Sequence, residues 1–184
     1  VLSIMGEKVR IGNAAAQMIR ENEIVMLDSG TTTAEVSRHI KFLKLKSLTV
    51  ITNALNIAME LANLSHVRVI MIGGILRHMS YSLVGPHAEQ TLRGLNADRL
   101  FLGVDSLDPE IGLTTPDVLE AQLNSLMIRV AREVTVVADS SKFSKRSFSV
   151  IAGIDDVRRV ITDHKADPQM VSTLRERGID VILV

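Results

Sequence analysis

The stretch that decides the fold is Ile24–Thr33, which reads IVMLDSGTTT. Its first four residues are apolar without alternation, a pattern typical of a strand covered on both faces in a parallel sheet. The small and polar residues that follow predict a turn, and Ala34–Ile40 then predicts a helix. The chain is therefore expected to pass from a buried strand through a polar turn into a helix.

Six further apolar runs have the same continuous character, and segments with helical spacing separate most of them. The runs are Leu48–Thr52, Val67–Ile72, Arg99–Gly103, Val134–Ala138, Val157–Thr162 and Ile179–Val184. The predicted helices are Glu7–Asn22, Asn53–Leu64, Leu119–Val130 and Pro168–Gly178. This alternation predicts an α/β fold with a largely parallel open sheet and helices on both faces.

Two segments, Gly73–Gly94 and Asp105–Asp117, interrupt the alternation. They are expected to be insertions that cover a pocket, or to form a small inserted lobe. No tandem repeat, low-complexity tract or linker rich in Ser, Gly and Pro divides the sequence. Residues 1–184 are therefore expected to form one domain.

The composition limits the function classes. The 184 residues are 46% hydrophobic and 3% aromatic, enough for a core of aliphatic side chains. Basic and acidic residues number 21 each, so the chain lacks the positive field that binding to DNA phosphates requires. The sequence contains no cysteine, which excludes disulfides and thiolate zinc sites. No apolar run reaches the roughly 18 residues of a membrane helix, and we expect a cytoplasmic protein without membrane contact.

Small and polar residues follow the predicted strands. The carboxyl ends of parallel strands meet at one edge of the sheet, and ligands bind in the crevice beside that edge. The candidate ligand-binding residues at this edge are Asp28, Ser29, Gly30, Thr31, Thr32, Thr33, Asn53, Gly73, Gly74, Arg77, Asp105 and Lys142.

The segment Gly30–Thr33 predicts a phosphate site. Glycine permits close approach of the backbone, and the N–H groups ahead of Ala34–Ile40 lie at the positive end of that helix dipole. Arg77 and Lys142 add positive charge at the same edge. Three alternatives stay open: a simple threonine cap, an ordinary turn at Gly73-Gly74, and a solvated Lys142.

Three aspartates, Asp28, Asp105 and Asp139, come directly after apolar strands. Burying a carboxylate is costly unless hydroxyl, N–H or ammonium groups pair with it, and the hydroxyls of a sugar meet that requirement. We expect Asp28, Asn53 and Asp105 to bind sugar hydroxyls. The alternative for each aspartate is that it caps a turn or an adjacent helix.

A sugar-phosphate isomerase or deaminase is the alternative function, with Asp105 or Asp108 as the base. The five histidines show no metal-binding spacing, and the sequence has no Gly-x-Ser-x-Gly nucleophile motif. The turn after the first strand also lacks the three-glycine spacing of dinucleotide sites. We therefore expect no catalytic residue, no metal and no cofactor. A purely structural oligomerisation module is a third hypothesis.

Five segments, in order and along nearly the whole chain, resemble the C-terminal sensor domain of DeoR-type bacterial transcriptional repressors. They read LDSGTTT at 27–33, ITNALN at 51–56, GGILR at 73–77, DRLFLG at 98–103 and ADSSKF at 138–143. The resemblance implies a fold like those of ribose-5-phosphate isomerase and glucosamine-6-phosphate deaminase, used to bind a sugar phosphate rather than to convert it.

The resemblance also implies an N-terminal winged helix-turn-helix that binds operator DNA. This portion is absent from a sequence that starts at Val1, which we expect to be the sensor part of a longer regulator. Repressors of symmetric operators commonly assemble as dimers or tetramers, so a homo-oligomer is expected.

Two segments, GVD at 103–105 and EAQLN at 120–124, resemble the AgaR-like subgroup, which represses operons for N-acetylgalactosamine and galactosamine use. The chain departs from many members of the family at Asn124 and Ser125, where those members carry a Lys-Arg pair. The missing charges leave the identity of the effector open.

Overall fold

The computed structural model describes residues 2–184, with side chains from residue 4 onward. In chain order the strands are β1 Ile24–Leu27, β2 Leu48–Thr52, β3 Val67–Met71, β4 Ile75–Arg77, β5 Ser82–Val84, β6 Ala97–Leu102, β7 Ser106–Asp108, β8 Gly112–Thr115, β9 Ala131–Val137, β10 Ser149–Ala152, β11 Arg159–Thr162 and β12 Asp180–Leu183. The α-helices are α1 Leu2–Ala16, α2 Thr31–Ile40, α3 Leu55–Leu61, α4 Pro86–Arg93, α5 Val118–Val130 and α6 Pro168–Glu176.

Seven strands form one parallel sheet in the order β12-β11-β9-β6-β1-β2-β3. The chain winds outward from β1 through β2 to β3, then returns to the other side of β1 and winds outward again from β6. The strand order therefore reverses between β1 and β6. In open α/β sheets a crevice opens at such a switch point, outside the carboxyl ends of the strands, and ligands bind there.

Helices cover both faces of the sheet because successive strand side chains point to opposite faces. Val25 and Leu27 pack into one core with α1, α2 and α3. Met26 packs into the other core with α4, α5 and α6. The predicted α/β fold, a largely parallel open sheet with helices on both faces, is confirmed.

The two segments that interrupt the alternation form additional structure. Gly73–Gly94 contains an antiparallel hairpin of β4 and β5 followed by α4, a helix that the sequence prediction missed. Asp105–Asp117 contains β7 and β8, which join β10 in a three-stranded antiparallel sheet.

Several predicted helix boundaries are wrong. The helix predicted at Asn53–Leu64 is shorter and spans Leu55–Leu61. The helix predicted at Glu7–Asn22 begins at Leu2 and ends at Ala16, and Asn22 has a left-handed φ of 64°, which a helix does not accommodate. The helix predicted at Ala34–Ile40 begins at Thr31. The three threonines are therefore its first turn, and their N–H groups belong to the helix terminus.

An alternating series of charges crosses the amino-terminal edge of the sheet. Arg99 Nε lies 2.9 Å from Glu23 Oε2, and Arg99 Nη1 lies 3.2 Å from Glu133 Oε1. Arg159 Nη1 lies 2.5 Å from the same Glu133 oxygen, and Arg159 Nε lies 2.9 Å from Asp180 Oδ2. The series follows the strand order from β1 to β12, so it favours this register of the sheet.

Replacing Glu133 with glutamine is expected to lower the free energy of unfolding at pH 7 by about 1–2 kcal/mol, because both flanking guanidinium groups lose a charged partner. The hydrogen bond from Arg159 holds the pKa of Glu133 below its ordinary 4.5. A carboxylate with a lowered folded-state pKa stabilises the fold above its unfolded pKa, and this contribution is lost as the pH falls through the folded pKa. The variant should therefore approach the wild type as the pH drops below 4.5.

Urea unfolding at pH 7 and at pH 3 measures this difference. Glu110→Gln is the control, because Glu110 is 84% exposed in its pair with Arg146 and should change stability by less than about 0.5 kcal/mol. An equal difference in unfolding free energy between the wild type and Glu133→Gln at the two pH values would contradict the stabilising role of the Glu133 carboxylate.

Within residues 2–184, no helix combines the length and the apolar character that crossing a bilayer requires.

Candidate functional site

A cavity of about 460 Å³ opens at the switch point of the sheet. The residues after β1 form its floor together with Gly103 and Asp105 after β6. The start of α2 borders one side, and Met79 and Tyr81 from the β4–β5 hairpin border another. The cavity therefore lies where the topology of the fold predicts a ligand site.

Part of the predicted site lines the cavity. Its lining contains the predicted residues Asp28, Ser29, Gly30, Thr31, Thr32, Asp105 and Lys142. The other predicted residues lie outside the lining, and these are Thr33, Asn53, Gly73, Gly74 and Arg77.

Local contacts explain why those five residues lie outside. The Thr33 hydroxyl is buried and donates to the Gly30 carbonyl at 3.0 Å. Asn53 is fully buried, and its Nδ2 donates to the Leu83 carbonyl at 3.1 Å, which joins the end of β2 to the hairpin. Gly73 and Gly74 form the turn from β3 into the hairpin. Arg77 is bound by carboxylates of α5, described below.

The α2 end of the cavity is suited to an anion. Gly30, with φ of 138°, is the N-cap residue and provides no side-chain cap. The first backbone bond of the helix is Ala34 N–H to Gly30 O, so the N–H groups of Thr31, Thr32 and Thr33 precede the helical ladder. Lys142 borders the same cavity. Backbone donors, the helix dipole and one lysine side chain thus border one cavity.

Thr32 adds an unused donor at this end. Its side chain is 8% exposed and borders the cavity. Within residues 4–184 its hydroxyl has no hydrogen-bond partner, whereas the hydroxyls of Thr31 and Thr33 both have one. The Thr32 hydroxyl is therefore available to donate to a ligand or to water in the cavity.

Buried carboxyl groups also line the cavity. Asp28 Oδ1 accepts a hydrogen bond from Asn124 Nδ2 at 2.9 Å. Glu120 Oε1 accepts from the hydroxyls of Ser29 at 3.2 Å and Ser82 at 2.9 Å. All five residues are at least nine-tenths buried.

Arg77 neutralises one of these carboxylates. Its Nη1 lies 2.5 Å from Glu120 Oε2, and its Nε lies 3.5 Å from Asp117 Oδ2. The guanidinium therefore joins the hairpin to the first turn of α5. This role differs from the direct ligand contact that the sequence predicted.

Burial raises the pKa of Asp28 well above its usual value, and the nearby charge of Glu120 raises it further. Its hydrogen-bond partner at position 124 is a neutral amide, so no cation compensates the charge of Asp28 there. Asp28 is therefore a carboxyl group whose ionisation is unfavourable until a donor-rich ligand reaches it.

Of the remaining aspartates, one borders the cavity, as binding of sugar hydroxyls requires, and another caps a turn. Asp105 borders the cavity and accepts a hydrogen bond from Thr115 Oγ1 at 2.7 Å. Asp139 is buried and caps its own turn by accepting the Ser141 N–H at 3.0 Å, as the alternative interpretation predicted. Asp108 accepts the N–H groups of Glu110 and Ile111 and lies outside the cavity lining, so it does not join Asp105 as a second acid.

Sequence reasoning missed Glu120, Asn124, Met79 and Tyr81 as lining residues. A local signal existed for Glu120, because Asp117 and Glu120 have the spacing of an acidic helix start, and Asp117 Oδ1 accepts the Glu120 N–H at 2.8 Å. No local pattern identifies the two hairpin residues.

A larger cleft of about 710 Å³ opens at the opposite edge, around the first residues of β9 and β11. Its buried lining residues are apolar, and its charged ones, such as Arg132 and Arg158, are exposed. The smaller cavity contains buried polar groups, which is the property that marks a ligand site. In the described part of the chain, no three His, Asp or Glu side chains are grouped so that they could hold a metal ion.

The chain matches a family model described as the DeoR C terminal sensor domain over residues 4–164. It is 39% identical over 177 residues to a protein named as an aga operon transcriptional repressor from Escherichia coli O157:H7, covering 96% of this chain and 65% of that protein. It is 38% identical to the HTH-type transcriptional regulator GlpR of Haloferax volcanii, covering 95% and 68%. The chain thus spans about two thirds of the length of these relatives.

Solved structures with the same fold are more distant in sequence. Ribose 5-phosphate isomerase A from Methanocaldococcus jannaschii has a TM-score of 0.54 and 17% identity over 75% of this chain and 54% of the isomerase. The delta subunit of eIF2B from Chaetomium thermophilum has a TM-score of 0.55 and 16% identity, covering 77% and 50%. At this identity the likeness shows the fold alone, and it confirms the predicted similarity to ribose-5-phosphate isomerase.

Proposed function

Because the chain belongs to the DeoR C-terminal sensor-domain family, we propose that it binds a phosphorylated sugar or amino sugar and so controls operator binding by an attached N-terminal DNA-binding domain. One observation carries the proposal. A single cavity is lined by an uncapped helix start, by Lys142 and by the buried groups of Asp28, Glu120 and Asn124.

The phosphate is proposed to lie at the α2 end. Three backbone N–H groups, the Thr32 hydroxyl and the Lys142 ammonium supply donors of the kind that bind phosphate at helix N-termini. Each hydrogen bond to a charged ligand contributes about 1.5–3 kcal/mol, so a few of them suffice to anchor the group.

The sugar is proposed to lie over Asp28 and Asp105. Both carboxyl groups border the cavity and accept hydrogen bonds, which sugar hydroxyls donate. The charge of Asp28 is uncompensated in the ligand-free protein, so hydrogen bonds from a ligand to this group relieve a cost that the fold already carries.

The operator contact is proposed for a portion of the protein that precedes residue 1. The named relatives are transcriptional regulators of which this chain matches about two thirds. The chain itself has no net charge, which suits a sensor better than a DNA-binding surface. We propose that residues 1–184 act as one sensor unit in a cytoplasmic dimer or tetramer, and that effector binding needs no cofactor.

Such a sensor acts only through a difference in effector affinity between the operator-bound and the operator-free state. The direction of the response, induction or co-repression, follows from which state binds the effector more tightly.

A thermal-shift panel of hexose and hexosamine 6-phosphates, each beside its unphosphorylated parent sugar, tests the proposal. At about 100 times its dissociation constant a ligand adds about 2.7 kcal/mol, which raises the Tm of a chain of this size by roughly 5–10 °C. Lys142→Met should weaken the binding of the active sugar phosphate about tenfold. The control Lys145→Met, at an exposed position nearby, should leave binding unchanged.

Three results would contradict the proposal. A Tm shift of the same size with the unphosphorylated parent sugar would show that the phosphate is not recognised. Turnover of a sugar phosphate in NMR spectra, lost in Asp105→Ala, would favour the isomerase or deaminase hypothesis, which has Asp105 as its base. A panel without any shift would favour the structural oligomerisation hypothesis.

A further inference from the structure

The first helix reaches the phosphate end of the cavity. Lys8 Nζ of α1 donates to Thr31 Oγ1 at 2.9 Å, and Met5, one turn earlier, borders the cavity. The helices pack so closely that a Cβ on Gly12 would lie 2.5 Å from Glu35 Cβ of α2. A side chain at position 12 would therefore push α1 away from α2.

A second contact joins α1 to Lys165, in the loop after β11. Glu7 is buried and forms an ion pair with Lys165. The Lys165 N–H donates to Asp163 Oδ1 at 2.9 Å, and the Ser140 N–H donates to Asp163 Oδ2 at 2.7 Å. Ser140 begins the short 3-10 helix that ends at Lys142. Neighbouring residues of α1 thus contact Thr31 directly and, through Lys165 and Asp163, are linked to the segment that carries Lys142.

The present partner of Lys8 is a weak one. An ammonium group carries three donors, and the Thr31 hydroxyl is a neutral acceptor. Hydrogen bonds between an ammonium and an ionised oxygen are about twice as strong as bonds between neutral groups. A phosphate beside Thr31 and the unpartnered hydroxyl of Thr32 is therefore a better partner for Lys8 than the hydroxyl it contacts now.

We propose that Lys8 binds the phosphate group of the effector and thereby makes the position of α1 depend on effector occupancy. This inference rests on the proposed function, in which a DNA-binding domain precedes α1. A ligand shifts a conformational equilibrium only through contacts that differ between the two states. The contact from Lys8 is such a contact, because it lies on the helix that leads to the proposed domain.

The test is a titration of the 15N-labelled chain with inorganic phosphate at constant ionic strength, followed by amide NMR. In the wild type we expect shifts at the Thr31–Thr33 amides and along α1. In Lys8→Met we expect phosphate binding about tenfold weaker, with the α1 shifts lost and the shifts at 31–33 retained. Lys8→Arg should preserve most of both effects. Arg10→Met, an exposed position on the same helix, is the matched control and should equal the wild type.

The outcomes separate the two proposals. Wild-type shifts at 31–33 with unchanged affinity and unchanged α1 shifts in Lys8→Met overturn the role of Lys8 and leave the phosphate site intact. Absence of any phosphate-dependent shift at 31–33 in the wild type overturns both. Loss of affinity in Arg10→Met equal to that in Lys8→Met also overturns the role of Lys8, because the effect is then one of general charge.

Discussion

Replacing Asp28 with asparagine is expected to stabilise the ligand-free chain at neutral pH and to weaken effector binding about tenfold to a hundredfold. The loss of affinity follows from removing a charged acceptor for ligand hydroxyls. The gain in stability follows because asparagine still accepts the hydrogen bond from Asn124 and no longer carries a buried charge beside Glu120. A single stabilising substitution commonly adds about 0.5–2 kcal/mol.

The pH dependence of wild-type stability tests whether the buried charge of Asp28 is the reason for the gain in stability. Burial raises the pKa of Asp28 in the folded state, so the folded chain binds this proton more tightly than the unfolded chain does. Wild-type stability should therefore fall as the pH rises from the ordinary aspartate value of 3.8 through the raised pKa, and Asp28→Asn should lack this fall.

Melting curves recorded between pH 4 and pH 8 measure the difference in Tm between the wild type and Asp28→Asn. This difference should increase with pH. Asp156→Asn, an exposed position at the opposite edge, is the control and should follow the wild type. An Asp28→Asn chain that is less stable than the wild type throughout this range would show that the carboxylate is well compensated in the fold.

Replacing Glu120 with alanine is expected to lower the free energy of unfolding by about 3 kcal/mol. The carboxylate accepts hydrogen bonds from Ser29 and Ser82 and pairs with Arg77, and its removal leaves all three groups without this partner. Leaving buried polar groups unsatisfied costs about 1–3 kcal/mol each, and the loss is partly offset because Arg77 is 30% exposed and keeps Asp117 nearby. The Tm should fall by roughly 6–12 °C.

The same substitution should loosen the hairpin, because Glu120 is the group that joins β4 and β5 to α5. Hydrogen exchange at residues 75–84 should therefore accelerate more than exchange in β1. Glu89→Ala is the matched control, since Glu89 also lies in a helix but pairs with a 62% exposed arginine, and it should cost less than about 1 kcal/mol. Equal losses in the two variants would contradict a special role for Glu120.

Some features of the site could be predicted from single segments. Ile24–Leu27 and Leu48–Thr52 are strands with the predicted boundaries, because continuous apolar runs are stable only when both faces are covered. Asp28 to Thr32, Asp105 and Lys142 all border one cavity, because parallel strands bring the residues after their carboxyl ends to one edge.

For other residues the structure shows a partner within the protein that the sequence did not predict. Arg77 was expected to contact the ligand, and it instead binds Glu120, since a guanidinium satisfies a carboxylate of the protein as well as a phosphate. Asp139 was a candidate with the same sequence context as Asp28, yet it caps its own turn. The sequence shows which residues can donate or accept hydrogen bonds. The folded structure determines which partner each of them binds.

The sequence by itself determined the α/β fold, the parallel strands and the polar carboxyl edge, because these follow from hydrophobic period and chain direction. Only the tertiary structure decided which groups face one another across the cavity. Glu120 lies 91 residues from Ser29, and Asn124 lies 96 residues from Asp28. The helical period of α5 indicates which of its faces is buried, but it carries no information about which strand end that face meets. That choice depends on how helices pack on the sheet at the switch point, which is a property of the whole chain.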